Sequence, residues 1–219
     1  VRPLATLAQA VTNAAAGDTI VLLQNHQETL TAAQTLGKAL YLVSEGSGSS
    51  RAQFIAAGAI AMFDVTAAGV RIQNIYCPQS TVTPTARVRV AAAEAHILAC
   101  EFDCGALDTV AALSFVTGAG TARVEDCAFT STGTALTAQP AIGLEVVNAM
   151  TGLDVINTYF SGGDVGWSDY ALKGTAAITR LFAQDLILLG GSDLILATGS
   201  TYRIHVLDSS GSARLVLTA

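Results

Sequence analysis

The chain has 219 residues, with 11 Lys+Arg against 17 Asp+Glu and a formal net charge of −6. It therefore lacks the excess of cations that sequence-independent nucleic-acid binding requires. Hydrophobic residues make up 51% and charged residues 13%, which excludes intrinsic disorder and supports one domain over residues 1–219 with a sizeable core. The longest strongly apolar stretch, residues 52–63, covers 12 positions and contains Gln53 and Gly58, whereas a membrane-spanning helix needs about 20. So little charge leaves part of the exterior to be covered by other subunits, because large apolar patches mark contact surfaces.

In chain order, residues 1–16 are read as an N-terminal cap: Leu4, Leu7, Ala8 and Val11 fall on one helical face, and Gly17 and Asp18 end the helix. The first residues, with Arg2 and then Pro3, lack the apolar stretch of a secretion signal. Short strands follow at TIVL (19–22) and within KALYLVSEG (38–46). From there an eight-residue pattern recurs: VRIQNIYC (70–77), AHILACEF (95–102), ARVEDCAF (122–129), LDVINTYF (153–160) and TRLFAQDL (179–186). Its third position carries Ile72, Ile97, Val124, Val155 and Leu181, at intervals of 25, 27, 31 and 26, with looser copies at Leu22, Leu42 and Val206.

A further short strand precedes the copies, at 62–65, 87–90, 113–115, 144–146 and 194–196. Alternation over such short runs is the strand period. Strands this short cannot bury an apolar side alone, but units of about 26 residues can coil so that equivalent strands stack in parallel and share one core. The expected architecture is all-β: about eight coils over residues 17–219, spaced roughly 4.8 Å apart in a rod near 40 Å long.

The repeat resembles the single-stranded right-handed parallel β-helix, or pectin-lyase-like, superfamily. The opening AGDTIVL (16–22), HQETL (26–30), LYLVSEG (40–46) and GSSR (48–51) resembles that of short β-helix proteins of tailed bacteriophages. Ala52 stands where that pattern has a proline, and Asn25 where glycine is common. The resemblance implies a homotrimeric decoration (cement) protein on the capsid exterior of the virion, with the major capsid protein as its partner. The alternative is a tail spike or receptor-binding protein that holds a host glycan. A polysaccharide lyase or hydrolase is a third class. Fold alone does not decide among them.

Hydrolysis needs carboxylates converging about 5–9 Å apart on one face. The outward second position of the repeat offers Arg71, His96, Arg123 and Asp154, and the next outward position adds only Glu125. No catalytic residue, cofactor or metal site is therefore assigned, and no nucleic-acid or membrane partner is expected. His26 and Glu28 share a strand face and read as a structural polar pair. Cys100 and Cys127 hold one repeat position and read as a stacked thiol pair, with a cross-turn disulfide as the alternative. Cys100 and Cys104 have a three-residue gap that would suit zinc, but Cys77 and Cys127 add no regular second pair, so zinc is disfavoured. Asn74, Asp126 and Asn157 form a turn ladder interrupted by Ala99. Trp167 and Tyr170, in a glycine-rich stretch, are a candidate contact loop that could stack on a sugar, anchor a protein contact or pack on its own coil. Residues 130–140 are expected to project as a loop toward a neighbouring subunit.

Overall fold

A computed structural model describes residues 4–80, 82–104, 111–131, 142–162, 167, 170–210 and 215–217. The protein is an all-β parallel solenoid with one short helix, Leu7–Asn13, at its N-terminal end. Each coil carries three strands, one per face. The first face stacks Thr19–Leu22, Tyr41–Ser44, Arg71–Gln73, Ala95–Leu98, Thr121–Glu125, Gly152–Ile156 and the leading halves of Leu181–Leu189 and Tyr202–Ser210. The second face follows around the corner with Gln27–Leu30, Gln53–Ala56, Tyr76–Cys77, Glu101–Cys104, Ala128–Ser131, Tyr159–Ser161 and the trailing halves of the same two long strands. A separate eight-stranded sheet, running from Gln34–Leu36 to Leu215–Leu217, forms the third face.

Parallel register brings like residues together. Ile72 pairs with Ile97, Ile97 with Val124 and Val124 with Val155, all buried, so the expected apolar column exists. Its remaining members differ from the sequence reading. Leu181 pairs with Leu153, and Ala183 lies opposite Val155. Ile20 rather than Leu22 lies opposite Leu42, and Ile204 rather than Val206 opposite Ala183. Each difference is two residues. A two-residue slip keeps every side chain on its own side of the sheet, so alternation alone cannot detect it.

Between the first and second faces the chain bends through one residue in the left-handed region: Asn25, Asn74, Ala99, Asp126, Asn157 and Asp185 all have φ between 45° and 59°. The backbone N–H of Asn74, Ala99, Asp126 and Asn157 donates to a carbonyl of the following coil, at Leu98, Glu125, Ile156 and Gln184. Asn and Asp suit this conformation, and their side chains add bonds: Asn74 Nδ2 donates to the carbonyls of Ser44 and Gly46, both at 2.9 Å, and Asn157 Nδ2 to Asp126 Oδ1 at 2.7 Å. Ala99 adopts the same φ of 52° with neither advantage, at a cost of roughly 1–2 kcal/mol. Ala99→Asn is expected to raise the melting temperature by about 2–4 °C. A decrease in calorimetry would contradict this account of the corner.

Glycine is required at two other bends. Gly46, at φ 87°, would place a Cβ 2.7 Å from the Ser50 carbonyl, and Gly118, at φ 99°, would place one 2.4 Å from the Ala91 carbonyl.

The helix is Leu7–Asn13, capped by the Thr6 side chain, which accepts from Gln9 N–H. Its packed side is Leu7, Ala10, Val11 and Ala14, whereas Leu4 precedes the helix and Leu4 and Ala8 are exposed. The expected face thus shifts by about one turn toward the C-terminus. Two charged side chains from the first coil hold the helix. Glu28 Oε2 accepts the Leu7 N–H at 2.8 Å, and Lys38 Nζ donates to the carbonyls of Val11, Thr12 and Ala14 at 3.3, 3.3 and 2.6 Å. A carboxylate at a helix N-terminus and an ammonium at its C-terminus both complement the helix dipole.

Candidate functional site: the outward side of the first face

Strand alternation that sends Ile72, Ile97 and Val124 inward turns their neighbours outward. Tyr41, Arg71, His96, Arg123, Asp154, Phe182 and Arg203 are consecutive partners across the coils. Beside this row run Val21, Val43, Gln73, Leu98, Glu125 and Ile156. The surface is mixed, with exposed Val21 and Tyr41 at its N-terminal end and charge in the middle.

The central charges are paired. Glu125 Oε2 receives Arg123 Nε at 2.9 Å and His96 Nε2 at 3.2 Å. Asp154 Oδ1 lies 2.6 Å from Arg180 Nη1, and Asp185 Oδ1 lies 3.0 Å from His205 Nδ1. These three carboxylates are thus each engaged by a cation or an imidazole, which leaves them poorly placed as a general acid and base. Among the described residues no group of three His, Cys, Asp or Glu side chains could hold a metal ion, and no helix is long and apolar enough to cross a membrane.

Burial, and secondarily the Arg71 charge, lowers the His96 pKa from 6.5 against the opposing pull of Glu125. His96 is therefore neutral at pH 7, and its contact with Glu125 is a hydrogen bond in which Nε2–H donates. For Glu125, burial pushes upward, but the hydrogen bonds and charges of Arg123 and His96 together hold its carboxyl below 4.5. Both shifts act in one direction. The folded state binds protons less readily than the unfolded chain at each site, so their contribution is complete above about pH 6.5 and falls with acidification. It declines first as His96 is forced to charge and again as Glu125 protonates. Melting temperatures measured from pH 7.5 to 4 should fall, and His96→Asn should flatten the upper part of that decline. An unchanged slope in the variant would contradict this assignment.

Beside Arg71 the sheet carries a groove of about 370 Å³, lined by Thr19, Tyr41, Val43, Gly69, Val70, Arg71, Gln73, Glu94 and His96. Arg71 Nε is buried with no acceptor, and among the described residues Arg71 has neither a hydrogen bond nor an ion pair. The repeat places Arg71, His96 and Arg123 on one row with Gln73 at the next outward position, but it does not reveal Tyr41 and Glu94 as their companions. Tyr41 was findable, since it occupies the same strand position one coil earlier.

The remaining candidates lie elsewhere. Cys100 and Cys127 are stacked and buried as thiols rather than disulfide-bonded, and Cys77 and Cys104 are also buried. Cys127 Sγ donates to the carbonyls of Glu125 and Ile97 at 3.2 and 3.5 Å, and burial pushes its pKa well up. His26 and Glu28 form the expected pair at 3.2 Å, directed at the capping helix. Trp167 is 6% exposed and belongs to the core, so it packs on its own coil and offers no external contact surface. Tyr170 lies on the third face with Lys173 Nζ 5.8 Å from its ring centroid. Most of the loop expected at 130–140 lies outside the described residues. Arg87, on the third face, is wholly buried, with Nη2 donating to the Asp103 carbonyl at 3.3 Å.

No protein-family model matches the chain, and searches of curated proteins and of solved structures also found no match.

Proposed function

We propose that this chain is a structural protein of a bacteriophage virion, a homotrimer that decorates the capsid exterior and cements the head through contacts with the major capsid protein. The observation that carries this reading is the combination of a stacked rod with a weakly charged exterior. Only 13% of residues are charged, while Val21, Leu23 and Tyr41 stand exposed at one end and Tyr202, Val206 and Leu207 at the other. Such surface gains free energy when covered. A protein that binds only the assembled shell stabilises it by mass action, with no covalent step. The resemblance of the opening segment to phage β-helix proteins gives this surface its proposed partner.

The groove beside Arg71 favours a second reading, a tail spike or receptor-binding protein that holds a host glycan. Copy number separates the two: hundreds of copies per virion, relative to the major capsid protein, fit decoration, and a handful fit a spike. Absence from virions would overturn both readings and turn attention to polysaccharide cleavage, assayed by reducing-sugar release. Light scattering of the 22.4 kDa chain is expected to give about three times that mass, and a monomer at micromolar concentration would remove the trimer.

A further inference from the structure

The outward charges of the first face show a local imbalance. Arg123 is answered by Glu125 and Arg180 by Asp154. Arg71, between Tyr41 and His96 in the same row, is answered by nothing among the described residues, and its Nε is buried without an acceptor. Buried donors without partners are rare in folded proteins, and a guanidinium presents its donors in a planar fork that fits a carboxylate. Arg71 lines the groove of about 370 Å³, together with Gln73, which carries a side-chain amide, and Tyr41, which carries a phenol.

We propose that the Arg71 groove is a binding site for a single carboxylate group. Two features select a monoanion. The neighbouring Arg123 is already neutralised by Glu125, leaving Arg71 as the one uncompensated cation lining the groove, and the exposed Glu94 at its edge repels a second negative charge. His96 reports on occupancy. It is paired in register with Arg71 and carries the effect of that charge in its lowered pKa. A carboxylate on Arg71 cancels part of that effect. The groups that act on His96 are Arg71, Arg123 and Glu125, with Glu94 lining the same groove. The site does not depend on the capsid reading. The carboxylate has two sources, a free carboxylic acid or an acidic side chain of a second copy of this chain.

The test uses the full chain, with ring signals of His96 followed by NMR at pH 7.5 while sodium acetate replaces sodium chloride at constant ionic strength. A free-carboxylate site gives a saturable shift of His96 and a raised His96 pKa, with His26 and His205 unaffected. Arg71→Gln weakens the response at least tenfold, Arg71→Lys gives an intermediate loss because charge remains without the fork, and Arg123→Gln retains it. Sedimentation of the same proteins distinguishes the sources. If a second copy supplies the carboxylate, Arg71→Gln lowers the oligomeric state, and acetate does so in the wild type. The proposal is overturned if wild-type His96 shows no saturable response and Arg71→Gln leaves the oligomeric state unchanged, or if the acetate response survives in Arg71→Gln.

Discussion

Replacing Phe129 with alanine is expected to remove about 3–5 kcal/mol of stability and lower the melting temperature by roughly 6–20 °C. Phe129 is the middle of three stacked rings on the inward side of the second face. Its centroid lies 5.0 Å from Phe102 and 4.9 Å from Phe160, with interplanar angles of 19° and 9°. These separations nearly equal the spacing of hydrogen-bonded strands, so the backbone ladder sets the ring spacing and the rings fill it. All three are buried. Truncating the middle ring leaves a void that the coils on either side cannot close without breaking their own strand pairing, and it removes two aromatic contacts at once. Phe129→Leu keeps most of the volume and should cost well under half as much. In a solenoid each coil depends on its neighbours, so the loss should spread: amide exchange should quicken in residues 95–104 and 152–161 as well as in the altered coil. A melting shift below 2 °C for Phe129→Ala would show that the stack contributes little.

The same geometry explains the graded inner column beside the rings. Cys77 pairs with Phe102 below the stack, and Phe160 pairs with Leu188 above it. One corner earlier, Ile75, Cys100, Cys127, Thr158 and Leu186 are all buried. Thr158 can occupy this column because its hydroxyl donates to the Ile156 carbonyl at 3.0 Å, as Cys127 Sγ does to Glu125. The polar atoms here turn to backbone carbonyls, of their own coil and for Cys127 also of the preceding one, which removes the penalty of burying them.

This regularity made the fold readable before any coordinates, and it also explains where reading failed. Four copies of the repeat align as their residues suggested, from Ile72 to Val155 and from Cys77 to Phe160. The fifth was placed two residues early. In the correct frame it reads LFAQDLIL (181–188), which puts Asp185 at the left-handed corner, at φ 55°, and Leu188 against Phe160. The signal was present: an Asx residue at the fifth position and an apolar eighth. It was masked because Leu181 satisfied the third position equally well. For Trp167 the sequence leaves a sugar contact, a protein contact and packing on its own coil all open, because neighbouring glycines say nothing about which side of a coil a large ring occupies; the ring is buried. The groove at Arg71 was only half legible. The row of Arg71, His96 and Arg123 follows from the repeat, but the diagonal reach of Glu125 to both His96 and Arg123, which leaves Arg71 alone, depends on side-chain placement in three dimensions.

Removing the Glu28 carboxylate is expected to release the N-terminal helix. In the register of the second face Glu28 lies opposite Phe54, so a charged residue occupies the inward position that the next coil fills with an aromatic ring. The inward apolar column at this position ends there, and the carboxylate turns to the helix, where it accepts from Leu7 N–H at 2.8 Å and contacts His26 Nε2 at 3.2 Å. A helix of seven residues has little stability alone, so its docking rests on the apolar side from Leu7 to Ala14, on Glu28 and on Lys38. Loss of a hydrogen bond to a charged group costs about 1.5–3 kcal/mol, which for a domain of this size is a melting shift of roughly 3–12 °C. Glu28→Ala should show that loss, and Glu28→Gln, which keeps an acceptor but no charge, should show a smaller one. Lys38→Met should weaken the opposite end of the same helix. Because both residues grip one small element, their effects should not add. Once the helix has come away, the second substitution has little left to remove. Amide exchange across residues 7–14 should become fast in each single variant while the Phe129 region stays protected. Fully additive losses with residues 7–14 still protected would mean that Glu28 and Lys38 stabilise the first coil directly and that the helix is held by its apolar side alone.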